Sequence, residues 1–277
     1  MRFGWSPEAA SQKLLRLSSL LAIVSLLVYI LIYWYQPFSE FWNNFLSNFF
    51  PQVASLVAAM FATLLWSQYV KSDAPRHVWG PFAIALWLWF AGELVWGYLY
   101  MAGGEVPAGP PDIFWISAYV FLGLALVNQY RILIQPNTQV LWIRILIAML
   151  FLLALTLILF GLLTSVAEAP ETLRAAVNSF YPAADLLLAL IALWLARNFM
   201  GGAFSRPWLG LLVFSFSDLM YACLESSGMS AWSLEQGNLV TTIADVANFG
   251  SYLVLGMAVF YQWLFLKYGL RVRADAR

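Results

Sequence analysis

The chain has 277 residues, of which 62% are hydrophobic and 10% charged, with 14 basic and 14 acidic side chains and a formal net charge of zero. A soluble domain usually has about a quarter of its residues charged and about half apolar, so a water-soluble fold of this length would show its apolar excess on the surface. Composition therefore excludes an ordinary cytoplasmic enzyme and a disordered chain. It also excludes a nucleic-acid binder, because no basic surplus exists to meet a phosphate backbone.

A spanning helix needs roughly 20 mostly apolar residues. Eight stretches meet or approach that length: 14–35, 53–69, 79–101, 113–133, 141–163, 180–195, 208–224 and 239–266. The first is too long for a signal-peptide core and has no small-x-small cleavage site after it. The expected fold is all-α, a polytopic bundle of about eight transmembrane helices forming a single integral membrane domain. The bilayer is its first partner.

Charge provides an independent reading of topology. Arg2, Lys13, Arg16, Lys71, Arg76, Arg131, Arg144, Arg197, Arg206, Lys267, Arg271, Arg273 and Arg277 fall on one side of this eight-span arrangement, and only Arg174 on the other. Basic residues favour the cytoplasmic side. Both termini are therefore expected there, in a cell (inner) membrane.

The connections on the opposite side differ in texture. In 36–52, apolar residues at Phe38, Phe41, Trp42, Phe45, Leu46, Phe49 and Phe50 form one helical stripe, and Asn43, Asn44, Ser47 and Asn48 the other. This pattern predicts an interfacial helix over about 38–50. The loop 102–111 ends in Pro110-Pro111, with Asp112 as a candidate N-cap. The loop 164–178 is compatible with a short helix, and 225–238 is polar. The tail after the last span, 271–277, is too short for a soluble output domain.

No lysine lies inside a predicted span and His77 is the single histidine. A retinal Schiff base and a bis-histidine haem within this chain are thereby excluded. The single cysteine, Cys223, forms no internal disulfide. No nucleophile elbow, phosphate loop or metalloprotease signature is present. The cofactor is unknown, and nothing assigns catalytic or metal-ligating residues.

Acidic residues do enter the spans. Glu93, Asp185, Asp218 and Asp245 sit at depths of roughly 8–12 Å below the same boundary, at about 1.5 Å per residue. Buried carboxylates are costly unless paired, protonated or solvated, and no intramembrane base is available at that level. Glu93 precedes Trp96 by three residues, as Asp218 precedes Tyr221. Asp112 with Tyr119, Tyr181-Pro182 with Asp185, and Asp245 with Asn248 and Tyr252 open the returning spans. The pattern suggests a repeat of helical hairpins. Glu93, Asp218, Asp185, Asp245, Tyr221, Trp96 and Tyr119 are the candidate ligand-binding residues. The aromatic members offer faces for a cation, against the plainer role of interface anchoring. Ala54, Ala58 and Ala62 form a small-residue face suited to close helix contact, within the bundle or between subunits.

Taken together, these motifs resemble the multi-helix N-terminal membrane sensor domains of bacterial signalling proteins, such as those fused to diguanylate cyclases. The resemblance covers roughly 79–266. It implies a sensory membrane region without naming a ligand or an enzymatic activity. With no output module here, signalling would run through a separate protein. The sequence-level expectation is a small-ligand or cation-sensing module acting through a partner. The alternatives are a secondary transporter and a non-catalytic subunit of a membrane complex.

Overall fold

The computed structural model describes residues 7–103, 109–133, 169–200, 202–226 and 239–268. All regular structure among them is helical. The elements are α1 (Pro7–Tyr35), α2 (Glu40–Trp66), α3 (Arg76–Met101), α4 (Pro110–Leu133), α5 (Ala169–Asn198), a short 3₁₀ turn (Ala203–Ser205), α6 (Arg206–Ser226) and α7 (Leu239–Tyr268). Six helices among the described residues are long and apolar enough to cross a membrane: Ser11–Tyr35, α2, α3, α4, Ser179–Asn198 and Thr242–Tyr268. The protein is an all-α, multi-pass membrane protein. The predicted span 141–163 lies outside the described residues. The predicted span 208–224 falls within α6, which is helical but not among the six.

Two predicted boundaries dissolve. The stripe at 38–50 and the span at 53–69 form one continuous helix, α2, with Pro51 inside it. The polar positions of the stripe bond locally. Asn43 is buried and clamps the α1–α2 turn, its amide donating to the Phe38 carbonyl at 2.8 Å. Asn48 donates to the Asn44 carbonyl at 2.7 Å. The aromatic face, including Phe41 and Trp42, is exposed, which is where lipid contact places apolar side chains. The predicted loop 164–178 likewise gives way at Ala169, where α5 already begins.

Proline inside a helix strips the carbonyl four residues earlier of its usual donor. Neighbouring helices restore it at two sites, as membrane packing requires. Pro51 frees the Ser47 carbonyl, which accepts a long bond from the Tyr29 hydroxyl of α1 at 3.4 Å. Pro81 frees the His77 carbonyl, which accepts from the Asn128 amide of α4 at 2.8 Å.

Helix α7 is the hub, packing against α1, α2 and α6. It approaches α2 where a Cβ on Gly256 would lie 3.4 Å from Ala58. Ala54, Ala58 and Ala62 are buried there, so the small-residue face serves the bundle's own interior. Gly210 of α6 meets Leu255 even more closely, a Cβ there falling 3.0 Å from the Leu255 Cα. Helices α3 and α6 run in the same direction and meet through large aromatic side chains, as Trp79 stacks on Trp208 and Trp89 meets Phe214. Helices α4 and α5 also run parallel, because Asp112, Tyr119 and Tyr130 meet Tyr181, Asp185 and Trp194 in the same order.

Candidate functional site

Packing carries the acidic residues to one end of the bundle, and tyrosines reach them from neighbouring helices. The pairing is reciprocal between two hairpins. The hairpin α3–α4 bears Glu93 and Tyr119, and the hairpin α6–α7 bears Asp218 and Tyr252. Tyr252 donates to Glu93 Oε1 at 2.7 Å, while the Tyr119 hydroxyl lies 2.7 Å from Asp218 Oδ2. Each carboxylate is thus served by the tyrosine of the opposite hairpin. The aromatic residue four positions before each acid, Trp89 and Phe214, fills the space between, with ring centroids 4.8 Å apart. Asp112 and Tyr119 on α4 recur at the same spacing as Asp245 and Tyr252 on α7.

Hydrogen counting distinguishes the two halves. The Trp89 indole N–H donates to the Tyr252 oxygen at 2.8 Å, and Tyr252 passes its own proton toward Glu93. That relay is fully directed. Tyr119, by contrast, lies 2.5 Å from Asp185 Oδ1 as well as 2.7 Å from Asp218. A phenol has one proton to give, so two such oxygen–oxygen contacts require a further proton on a carboxyl. Asp185 and Tyr119 are buried, whereas Glu93 and Asp218 each keep part of their surface open.

The two remaining acids have separate partners. Asp245 on α7 accepts from Tyr33 of α1. Asp112 accepts from Tyr181 of α5 at 2.5 Å and, through its other oxygen, from the Gly109 N–H at 2.6 Å. That second bond corrects the capping expectation. Pro110 opens α4, so Asp112 is its third residue and reaches back to the preceding backbone.

Two aromatic candidates stand apart from the acids. Trp96 stacks on Tyr100 of its own helix, centroids 5.2 Å apart, and Tyr221 is half-buried with no bond to an acid seen among the described residues. Tyr98 is exposed. Trp89 and Tyr33 are the additions that the sequence reading missed as site residues. Trp89 could have been found from its position one turn before Glu93 on the same face. Tyr33 carries no such local signal, because its partner is 212 residues away.

Below the acids lies an apolar layer, with buried Gln129 and Gln262 nearer the opposite end. Phe82, Leu86, Leu122, Leu211, Leu255 and Val259 are all buried there. Ser215 and Ser217 are buried near Asp218 in sequence, and their hydroxyls find no partner among the described residues. No three His, Cys, Asp or Glu side chains come together in a metal-holding group among the described residues. Comparison with protein-family models, with curated proteins and with solved structures finds no match to this chain.

Proposed function

We propose that the protein is a membrane-embedded binding module for a small cation or cationic ligand. It enters from the acid-bearing end and is read out through a partner protein. The observation that carries this reading is the reciprocal bonding of Glu93 and Asp218 by Tyr252 and Tyr119, with both carboxylates partly open above an apolar floor. A cation between them would compete for the two tyrosine bonds that tie one hairpin to the other. Releasing those ties lets α3–α4 shift against α6–α7, which is a mechanical signal. The four acids contribute unequally. Glu93 and Asp218 contact the ligand, Asp185 holds the shared proton, and Asp245 with Tyr33 braces α7 against α1.

The charge distribution supports an eight-span chain with both ends cytoplasmic and the site facing outward. Parity agrees with it. Helices α4 and α5 are parallel, so the chain between them starts and finishes at opposite ends of the bundle.

Transport is the weaker reading, since it needs access from both sides and the apolar floor closes one. A subunit role loses its small-residue argument, because that face is spent inside the bundle.

Calorimetry on the purified protein in nanodiscs tests the proposal, with sodium and tetramethylammonium as probes. Binding is expected to release protons, because the cation replaces the one shared around Asp185, Tyr119 and Asp218. Affinity should therefore strengthen as pH rises, and the heat should change with the buffer's ionisation enthalpy. Glu93→Gln and Asp218→Asn should each weaken binding about tenfold or more. Undiminished binding in both variants would remove the site.

A further inference from the structure

At the end of the bundle opposite the acids, the turn from α2 to α3 borders an open recess of about 480 Å³. Its rim carries Lys71, Arg76 and His77, and its wall is Trp66, Pro81 and Ile84. We propose that this recess is a binding site for an anionic phospholipid, with the headgroup phosphate on Lys71 and His77 and an acyl chain along Ile84.

The rim groups are not equally committed. Arg76 is engaged by the fold, donating to the Tyr69 carbonyl at 2.5 Å and lying 4.6 Å above the Trp66 ring. Lys71 and His77 project exposed side chains. Asp73 is the single acid of the turn from 67 to 75, and its carboxylate accepts from the Val70 N–H at 2.9 Å. Two fixed positive charges thus stand against one occupied negative charge. The surplus matches the single charge of a phosphodiester.

Depth and wall chemistry select a lipid over a soluble anion. Trp66 ends one membrane-crossing helix and Arg76 begins the next, so the rim lies at the level of the headgroups. The wall continues down α3 through Ile84 and Trp87, both exposed. An amphiphile covers both parts, whereas free phosphate leaves the apolar wall unused. Gly80 shapes the recess: a Cβ there would come within 3.1 Å of the Trp66 indole nitrogen, so the glycine lets that ring lie against α3. Basic residues beside a membrane helix each add about fivefold to binding of an anionic lipid.

Native mass spectrometry of the full chain tests the site, using phosphatidylglycerol, phosphatidylcholine of the same acyl chains, and inorganic phosphate. Phosphatidylglycerol should be retained in preference to phosphatidylcholine. Lys71→Gln with His77→Gln should weaken that retention about fivefold or more, while Arg197→Gln, an exposed charge elsewhere, leaves it unchanged. Both substituted side chains are exposed and the hydrogen bonds shown for His77 run through its backbone N–H and carbonyl, so folding is preserved. Equal retention of the two lipids would overturn the proposal. So would an equal loss in Arg197→Gln, or displacement of the lipid by inorganic phosphate at comparable concentration.

Discussion

Tyr252 hands its proton to Glu93 at 2.7 Å although 159 residues separate them in the chain. The same hydroxyl accepts from Trp89, one turn before Glu93 on α3. One side chain of α7 therefore closes a three-membered relay with two positions on a single face of α3. Removing the hydroxyl disconnects both.

Tyr252→Phe is expected to destabilise the protein by about 1–3 kcal/mol, since it strands a buried indole donor and takes a donor from a carboxylate. Interhelical bonds in membranes average about 0.6 kcal/mol, so the loss is expected at the low end of that range. Tyr98→Phe, at an exposed position, should stay within about 0.5 kcal/mol. Unfolding midpoints in detergent compare the two, and equal midpoints would show that the relay contributes nothing.

Asp185 offers a test of the proton count. Asparagine can donate to the Tyr119 oxygen, which leaves the phenol proton for Asp218 without a shared carboxyl proton. Asp185→Asn should therefore be neutral or stabilising. Asp185→Leu should cost about 1–3 kcal/mol, because it leaves buried polar groups unpaired. If the two variants melt together, the hydrogen bonds around Tyr119 do not govern this part of the fold.

Glycine positions predict opposite outcomes on two helices. A Cβ on Gly210 would sit 3.0 Å from the Leu255 Cα and from Ala258, and backbone cannot rotate away. Gly210→Leu should destabilise by about 1–3 kcal/mol through overpacking. Nothing lies within 4 Å of a Cβ on Gly123, so Gly123→Ala should gain up to about 1 kcal/mol of helix propensity. A Gly210→Leu protein as stable as the parent would contradict the close α6–α7 approach.

Membrane topology is open to direct labelling. With Cys223→Ser as background, Ser39→Cys and Ser72→Cys place single thiols in exposed positions at the two ends of α2. An impermeant maleimide on intact cells should label Ser39→Cys and spare Ser72→Cys. The reverse pattern would turn the acidic site toward the cytoplasm. Labelling of both from outside would deny that α2 crosses the bilayer.

Much of the architecture was legible in the chain because the bilayer imposes a simple rule. Each crossing segment must be a long apolar helix, and hydropathy reports that directly. That Glu93, Asp185, Asp218 and Asp245 fall toward the same end of the bundle was readable for the same reason, since rise per residue converts position into height. The continuity of the stripe at 38–50 with the helix after it was not readable, because a helix facing lipid shows the same periodicity as one lying on the surface. Pro51 lies inside that helix without ending it, and Tyr29 of another helix supports the carbonyl it frees.

Sequence by itself determined the fold class, the long apolar helices and the end of the bundle toward which the acids fall, since these follow from local composition and the rise of a helix. Tertiary structure alone decided the partners: Tyr252 with Glu93, Tyr119 with Asp185 and Asp218, Tyr33 with Asp245, and Trp96 turned aside onto Tyr100. A hydrogen bond depends on which helix faces which and at what rotation, and packing between distant segments sets both.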